Sequence, residues 1–131
     1  MLFDAIGIAG SALTVHRKWL DAVSDNIANV NTVTGTGDEA FRARYILAQA
    51  GEGLSGVHVA GAAFGDPEGR LVHQPDHPLA DENGFVRYPD IDLATQMSQL
   101  IMAQRGYQAN AAVVDRARDM YTSGLQIGRQ S

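Results

Sequence analysis

Near the start of the chain, apolar residues recur at alternating steps of four and three. Leu2, Ile6, Ala9, Leu13, His16, Leu20, Val23, Ile27 and Val30 hold that rhythm over four heptads, which is the spacing of a coiled-coil seam. His16 is the polar exception. Buried, it would set register; at the seam edge, it would turn its polar tip to water. A second apolar row, Ala5, Ala12, Val15, Trp19 and Ala22, runs beside the first, so this helix is expected to need more than one partner. It ends in Asn26, Asn29, Asn31, Thr32, Thr34, Gly35 and Gly37, residue types that favour caps and turns over helix interiors.

A similar rhythm returns toward the other end. Leu93, Met97, Leu100, Gln104, Tyr107, Ala111, Val114, Arg118, Tyr121 and Leu125 keep alternating steps of four and three, imperfect in kind at Gln104 and Arg118, where Ala103 and Ala117 are placed to take the seam. Asp90 or Asp92, after Pro89, is the expected N-cap and Gly128 the expected stop. Helices of about 28 and about 36 residues would be roughly 42 and 54 Å long, lengths that suit a coiled coil. The chain between them must return to its starting end, so the two helices are expected to pair antiparallel.

Between the helices the period changes. Ala40 to Ala48, Gly56 to Gly61, Arg70 to His73 and Gly84 to Tyr88 read as short strands bounded by Gly, Pro, Asp and Asn. They are too poor in apolar residues to build much of a core alone, so a small antiparallel β unit leaning on the helices or on a neighbour is expected. The fold class is therefore α+β: long N- and C-terminal helices paired as an antiparallel coiled coil around a small β insert. The expected divisions are 1–36 for the first helix and linker, 37–89 for the insert and 90–131 for the second helix.

Charge sharpens this picture. The net charge of −5 divides as −1 over residues 1–36 (three acids, two bases), −6 over 37–92 (ten and four) and +2 over 93–131 (two and four). A solitary amphipathic helix displays a charged outer face; these charge-poor ends are instead expected to be covered by partners. With 131 residues the chain has one-domain length, and with no cysteine it has no disulfide, thiol catalysis or Cys-ligated metal. No stripe of Lys and Arg interleaved with aromatics points to nucleic acid, and no apolar run is long enough to insert in a membrane. The Ala5 to Val15 stretch is a retained helix by this reading and not a cleaved leader, because Asp4 precedes it, His16-Arg17-Lys18 follow it, and it keeps the heptad frame.

Two motifs suggest chemistry. Gly51-Glu52-Gly53-Leu54-Ser55-Gly56 fits G-x-G-x-x-G, but dinucleotide sites need that pattern at the start of a helix. Here a strand-like run follows, and a hairpin loop is expected. His73, Asp76, His77 and Asp81 offer metal-ligand chemistry; Pro75 and Pro78 place them on an extended loop rather than on a helix. No nucleophile elbow occurs. No catalytic residue, metal or cofactor is assigned, although a metal-dependent enzyme using His73, Asp76 and His77, and a small helical adaptor dimer, are the rival readings.

The run Ser24-Asp25-Asn26-Ile27-Ala28-Asn29-Val30-Asn31-Thr32 that closes the first helix resembles the signature of bacterial flagellar axial proteins of the rod and hook. The stretches Gly56 to Val59, Arg70 to Pro89 and Arg105 to Asn110, together with the short length, resemble the proximal-rod branch of that family. One departure is Thr32-Val33-Thr34-Gly35-Thr36-Gly37, where many axial proteins read Thr-Pro-Gly-Tyr. The resemblance implies a non-enzymatic subunit, exported by the flagellar type III apparatus without a cleaved signal, that polymerises in the periplasm into the rod that transmits motor torque. It implies as partners copies of the same chain, other proximal and distal rod proteins, and the membrane ring with its adaptor. On this reading, Ile6, Leu13, Leu20, Val23 and Ile27 on the first helix and Met97, Leu100, Tyr107, Val114 and Tyr121 on the second form the packing and assembly seams. Asn26, Asn29, Asn31 and Thr32 form the family signature and helix cap.

Overall fold

All four prolines, Pro67, Pro75, Pro78 and Pro89, fall in the middle of the chain, which leaves both ends free of the residue that most strongly breaks a helix. In the computed structural model, which describes residues 1–130, the ends are α1 (Leu2–Ala28) and α2 (Leu93–Gln130). Between them lie β1 (Arg44–Ala50), β2 (Val57–Phe64), β3 (Arg70–His73) and β4 (Phe85–Tyr88). Asp92 starts α2 as expected: its carbonyl accepts from Gln96 N at 3.1 Å and its carboxylate from Thr95 Oγ1 at 2.6 Å. Gly128 does not stop the helix, which runs on to Gln130. At an exposed helix end, glycine's weak propensity costs only about 1 kcal/mol.

The helices pair antiparallel. Phe3 meets Tyr121 with ring centroids 5.4 Å apart, His16 packs on Gly106, and Asn26 bonds Gln96. The buried residues on the two helices are mostly small or β-branched: Ala9, Val15, Ala22 and Val23 on α1, Ala103 and Ala117 on α2. Every position of the first-helix heptad row is at least half-buried, Ala9 and Val23 fully so, and Val15 and Ala22 of the second row are fully buried beside it. On α2 the frame differs. Ala103 and Ala117 do carry the seam, and Leu100 and Val114 are half-buried beside them, but Met97, Tyr107 and Tyr121 are exposed and polar Gln96 is buried instead. Gln96, Ala103, half-buried Asn110 and Ala117 recur at intervals of seven, so the buried row lies one position before the row through Met97, Gln104, Ala111 and Arg118.

The insert is two separate hairpins and not one sheet. β1 and β2 pair antiparallel from Arg44↔Phe64 to Ala50↔Val57, with a bulge after Leu47, and this hairpin rests on α1. Its turn is the Gly51 to Gly56 loop, closed by Gly51 N donating to Gly56 O at 2.7 Å. Val57 N donates to Ser11 Oγ at 3.0 Å and ties the turn to α1. β3 and β4 pair from Arg70↔Tyr88 to His73↔Phe85. Ala40 and Ala43 lie before β1, not in it, and are buried with Val86, Pro89 and Ile91. Gly69, at φ 58°, closes the turn before β3, and a side chain there would collide with the carbonyl of Tyr88.

The linker after α1 is built into this second hairpin. Thr34 exchanges both backbone bonds with Arg87 at 2.9 Å, and Arg87 Nη2 donates to Thr36 O at 2.9 Å. Thr36 Oγ1 donates to Asp81 at 3.1 Å. The segment that lacks the Thr-Pro-Gly-Tyr pattern is thus held by strand pairing instead of by proline.

Candidate assembly surface

The chemical motifs resolve into structure. G-x-G-x-x-G is a hairpin turn with Gly53 and Gly56 at positive φ, and it starts no helix. His77 Nδ1 accepts from Leu79 N at 3.0 Å, and His73 packs edge-on to Phe85 at 5.0 Å. Among the described residues, no three His, Asp or Glu side chains converge as metal ligands. None of the helices among the described residues is long and apolar enough to cross a membrane.

Asp81 organises its loop. One carboxylate oxygen accepts from Asn83 N and Phe85 N, both at 2.9 Å, and the other from Thr36 Oγ1. The Phe85 N–H is the largest cause of a pKa held below the ordinary aspartate value; partial desolvation opposes it, and Thr36, Asn83 and Gly84 add to it. A lowered folded pKa means the stabilisation is complete above the ordinary value and is lost as pH falls through the folded one. Asp81→Asn is therefore expected to be less stable than wild type by a constant margin from neutral pH to about pH 5, a margin that shrinks below about pH 4. Urea midpoints of the two proteins across that range measure it.

The three signature asparagines have different jobs. Asn29 is the C-cap of α1: its Nδ2 donates to Asp25 O at 2.8 Å, and its Oδ1 accepts from Thr32 Oγ1 at 3.0 Å. Asn31 is exposed in the turn that follows. Asn26, expected as a cap, is instead fully buried inside the helix. Its Oδ1 accepts from Arg44 N at 2.8 Å, and its Nδ2 donates to Arg44 O at 3.0 Å and to Gln96 Oε1 at 3.1 Å. The amide mimics a neighbouring strand for Arg44 and joins α1, β1 and α2 at one point. An interior position, with the whole side chain facing the core, was not visible from spacing, because Asn at a helix end reads first as a cap.

The outer surface of α2 carries a row of exposed apolar side chains. Met102, Val113, Met120 and Ile127 of α2 are separated by eleven, seven and seven residues, steps that return to one helix face. All four are exposed, Met120 to 67% and Ile127 to 71%. Met97, Ile101 and Leu125 are exposed elsewhere on α2, and Phe3 and Ile8 on α1. Tyr121 already lies against Phe3 near the start of α1, so residues 122–130 project past the shorter helix, every one of them exposed. The accessible surface totals 8584 Å² for 14.0 kDa, against about 6,700 Å² for a compact monomer of that mass.

Two family models match this chain, and both fall on the helical ends: "Flagella basal body rod protein" over residues 6–35 and "Flagellar basal body rod FlgEFG protein C-terminal" over residues 82–127. Among curated relatives, the flagellar basal-body rod protein FlgC of Salmonella typhimurium is 35% identical over 132 residues, covering 98% of each chain. FlgC of Yersinia enterocolitica is 36% identical over the same span and coverage, and FlgC of Borreliella burgdorferi is 32% identical over 147 residues, covering 96% of this chain and 97% of its own. The chain belongs to the FlgC family of flagellar basal-body rod proteins.

Proposed function

We propose that this chain is a structural subunit of the proximal part of the flagellar basal-body rod, and that it polymerises through its terminal helices into the shaft that carries motor torque. The observation that carries this reading is the uncovered apolar row on α2 and the projecting end beyond α1. A lone helix that exposes Met102, Val113, Met120 and Ile127 leaves apolar surface in water that a neighbouring helix would remove, at about 25 cal/mol per Å². The family matches support assembly with other rod and basal-body components. The finer partners we assign are copies of the chain, proximal and distal rod proteins, the membrane ring with its adaptor, and, transiently, the type III export apparatus; the site is the periplasmic rod.

Within that assembly the exposed seam members Met97 and Tyr107, and the part of Tyr121 not covered by Phe3, pack against neighbours, whereas Val23, and in part Ile6, Leu13, Leu20, Ile27, Leu100 and Val114, hold the subunit together. Close-packed seams resist shear, which is what a torque-bearing shaft requires. No catalytic step is part of this role.

The test is a strain lacking the gene, complemented with an epitope-tagged copy. Tagged chain in purified basal bodies and restored motility are expected. A tagged chain absent from intact basal bodies, with a closed dimer in sedimentation, would favour the adaptor reading.

A further inference from the structure

Two contacts between the helices are unlike the rest. His16 Nδ1 lies 2.7 Å from the carbonyl of Ala12; a carbonyl only accepts, so Nδ1 carries the proton and the ring is held against its own helix. Nε2 and Cδ2 of that ring fill the space where a side chain on Gly106 would stand. Further along, the buried Asn26 amide donates to buried Gln96 at 3.1 Å. His16 and Asn26 are ten positions apart, and so are Gln96 and Gly106. In an antiparallel pair of helices with equal rise, both contacts close together in one register.

We propose that these two pairs form a two-point register lock, whose purpose is to fix the alignment of α2 on α1 and not to add stability. The other buried positions are alanines, Ala9, Ala22, Ala103 and Ala117, and apolar seam residues such as Val23 with half-buried Leu13, Leu20, Leu100 and Val114 beside them; a slip of one heptad sets apolar seam positions on other seam positions, so they discriminate less sharply between such alignments. The lock does discriminate. One heptad of slip in one sense sets Val113 against His16, where its side chain would meet the ring, and Ala103 against Asn26, where the amide loses its partner. A single buried polar contact is known to select register at a cost in stability; here a steric contact of the same spacing doubles it. The alignment matters because it sets how far residues 122–130 project, and each heptad of slip would change that reach by about 10 Å.

The absence of cysteine allows clean spin-labelling at introduced cysteines. Labels at exposed Arg17 and Asp119 are axially offset, so their separation reports register, changing by about 5 Å per turn of slip. The wild-type chain is expected to give one distance. The variant His16→Ala with Gln96→Leu removes both contacts while leaving the two Asn26 bonds to Arg44; it is expected to give at least one further population, with a thermal midpoint equal to or above that of wild type. One wild-type distance in that variant, folded by circular dichroism, overturns the proposal. If the variant does not fold, Gln96→Leu alone decides: a broadened or split distribution supports the lock, and the wild-type width overturns it.

Discussion

Asn26→Ala is expected to lower the free energy of unfolding by about 2–4 kcal/mol, because it leaves the N–H and C=O of Arg44 without their partners at about 1–3 kcal/mol for each buried group. Arg44 is itself half-buried, so water recovers part of that loss. The change is a large share of the roughly 5–15 kcal/mol that holds a domain of this size. Asn26→Asp is expected to do little better: a carboxylate accepts from Arg44 N but can donate neither to Arg44 O nor to Gln96 Oε1. Asn29→Ala, only two bonds at an exposed helix end, should cost about 1 kcal/mol or less. Urea denaturation of the three variants checks the ranking. Equal losses from Asn26→Ala and Asn29→Ala would show that the amide at Asn26 serves only as part of a helix end.

That contrast marks the boundary of what pattern reading could reach. The heptad row from Leu2 to Ile27 is legible because its apolar residues, most of them large, are turned from water, each at least half-buried. Pro89 limits where α2 can begin and so narrows the cap to Asp90 or Asp92, and the structure selects Asp92. Glycine and proline punctuation marks the strands, but not their division into two separate hairpins. The buried face of α2 escaped because it is built from Gln96, Ala103, Gly106 and Ala117, residues that score as polar or neutral while the larger apolar side chains, Met97, Ile101, Met120 and Ile127, look outward. On this chain hydrophobicity does not separate inside from outside, because buried Gln96 and the seam alanines sit beside exposed Met and Ile side chains. What decides is fit: a glycine that admits an imidazole, and an amide with three partners.

The same distinction gives the prediction with the largest effect on assembly. Met120→Asp with Ile127→Asp is expected to leave the circular dichroism spectrum and thermal midpoint of the isolated chain close to wild type, since both side chains already face water and surface changes of this kind shift stability by about 0.5 kcal/mol or less. Incorporation into the rod, and with it motility, is expected to be lost, because each carboxylate would have to be buried unpaired against a neighbouring helix. Leu20→Asp makes the opposite comparison. Leu20 is half-buried on α1 beside fully buried Val23, so a charge there should lower the midpoint of the isolated chain as well as abolish incorporation. Basal bodies purified from the two strains, set beside melting curves of the two purified chains, separate the face that holds the subunit together from the face that joins it to others. Rods of normal content in the Met120→Asp, Ile127→Asp strain would place the assembly face elsewhere on α2, with Met97 and Ile101 next to be tested.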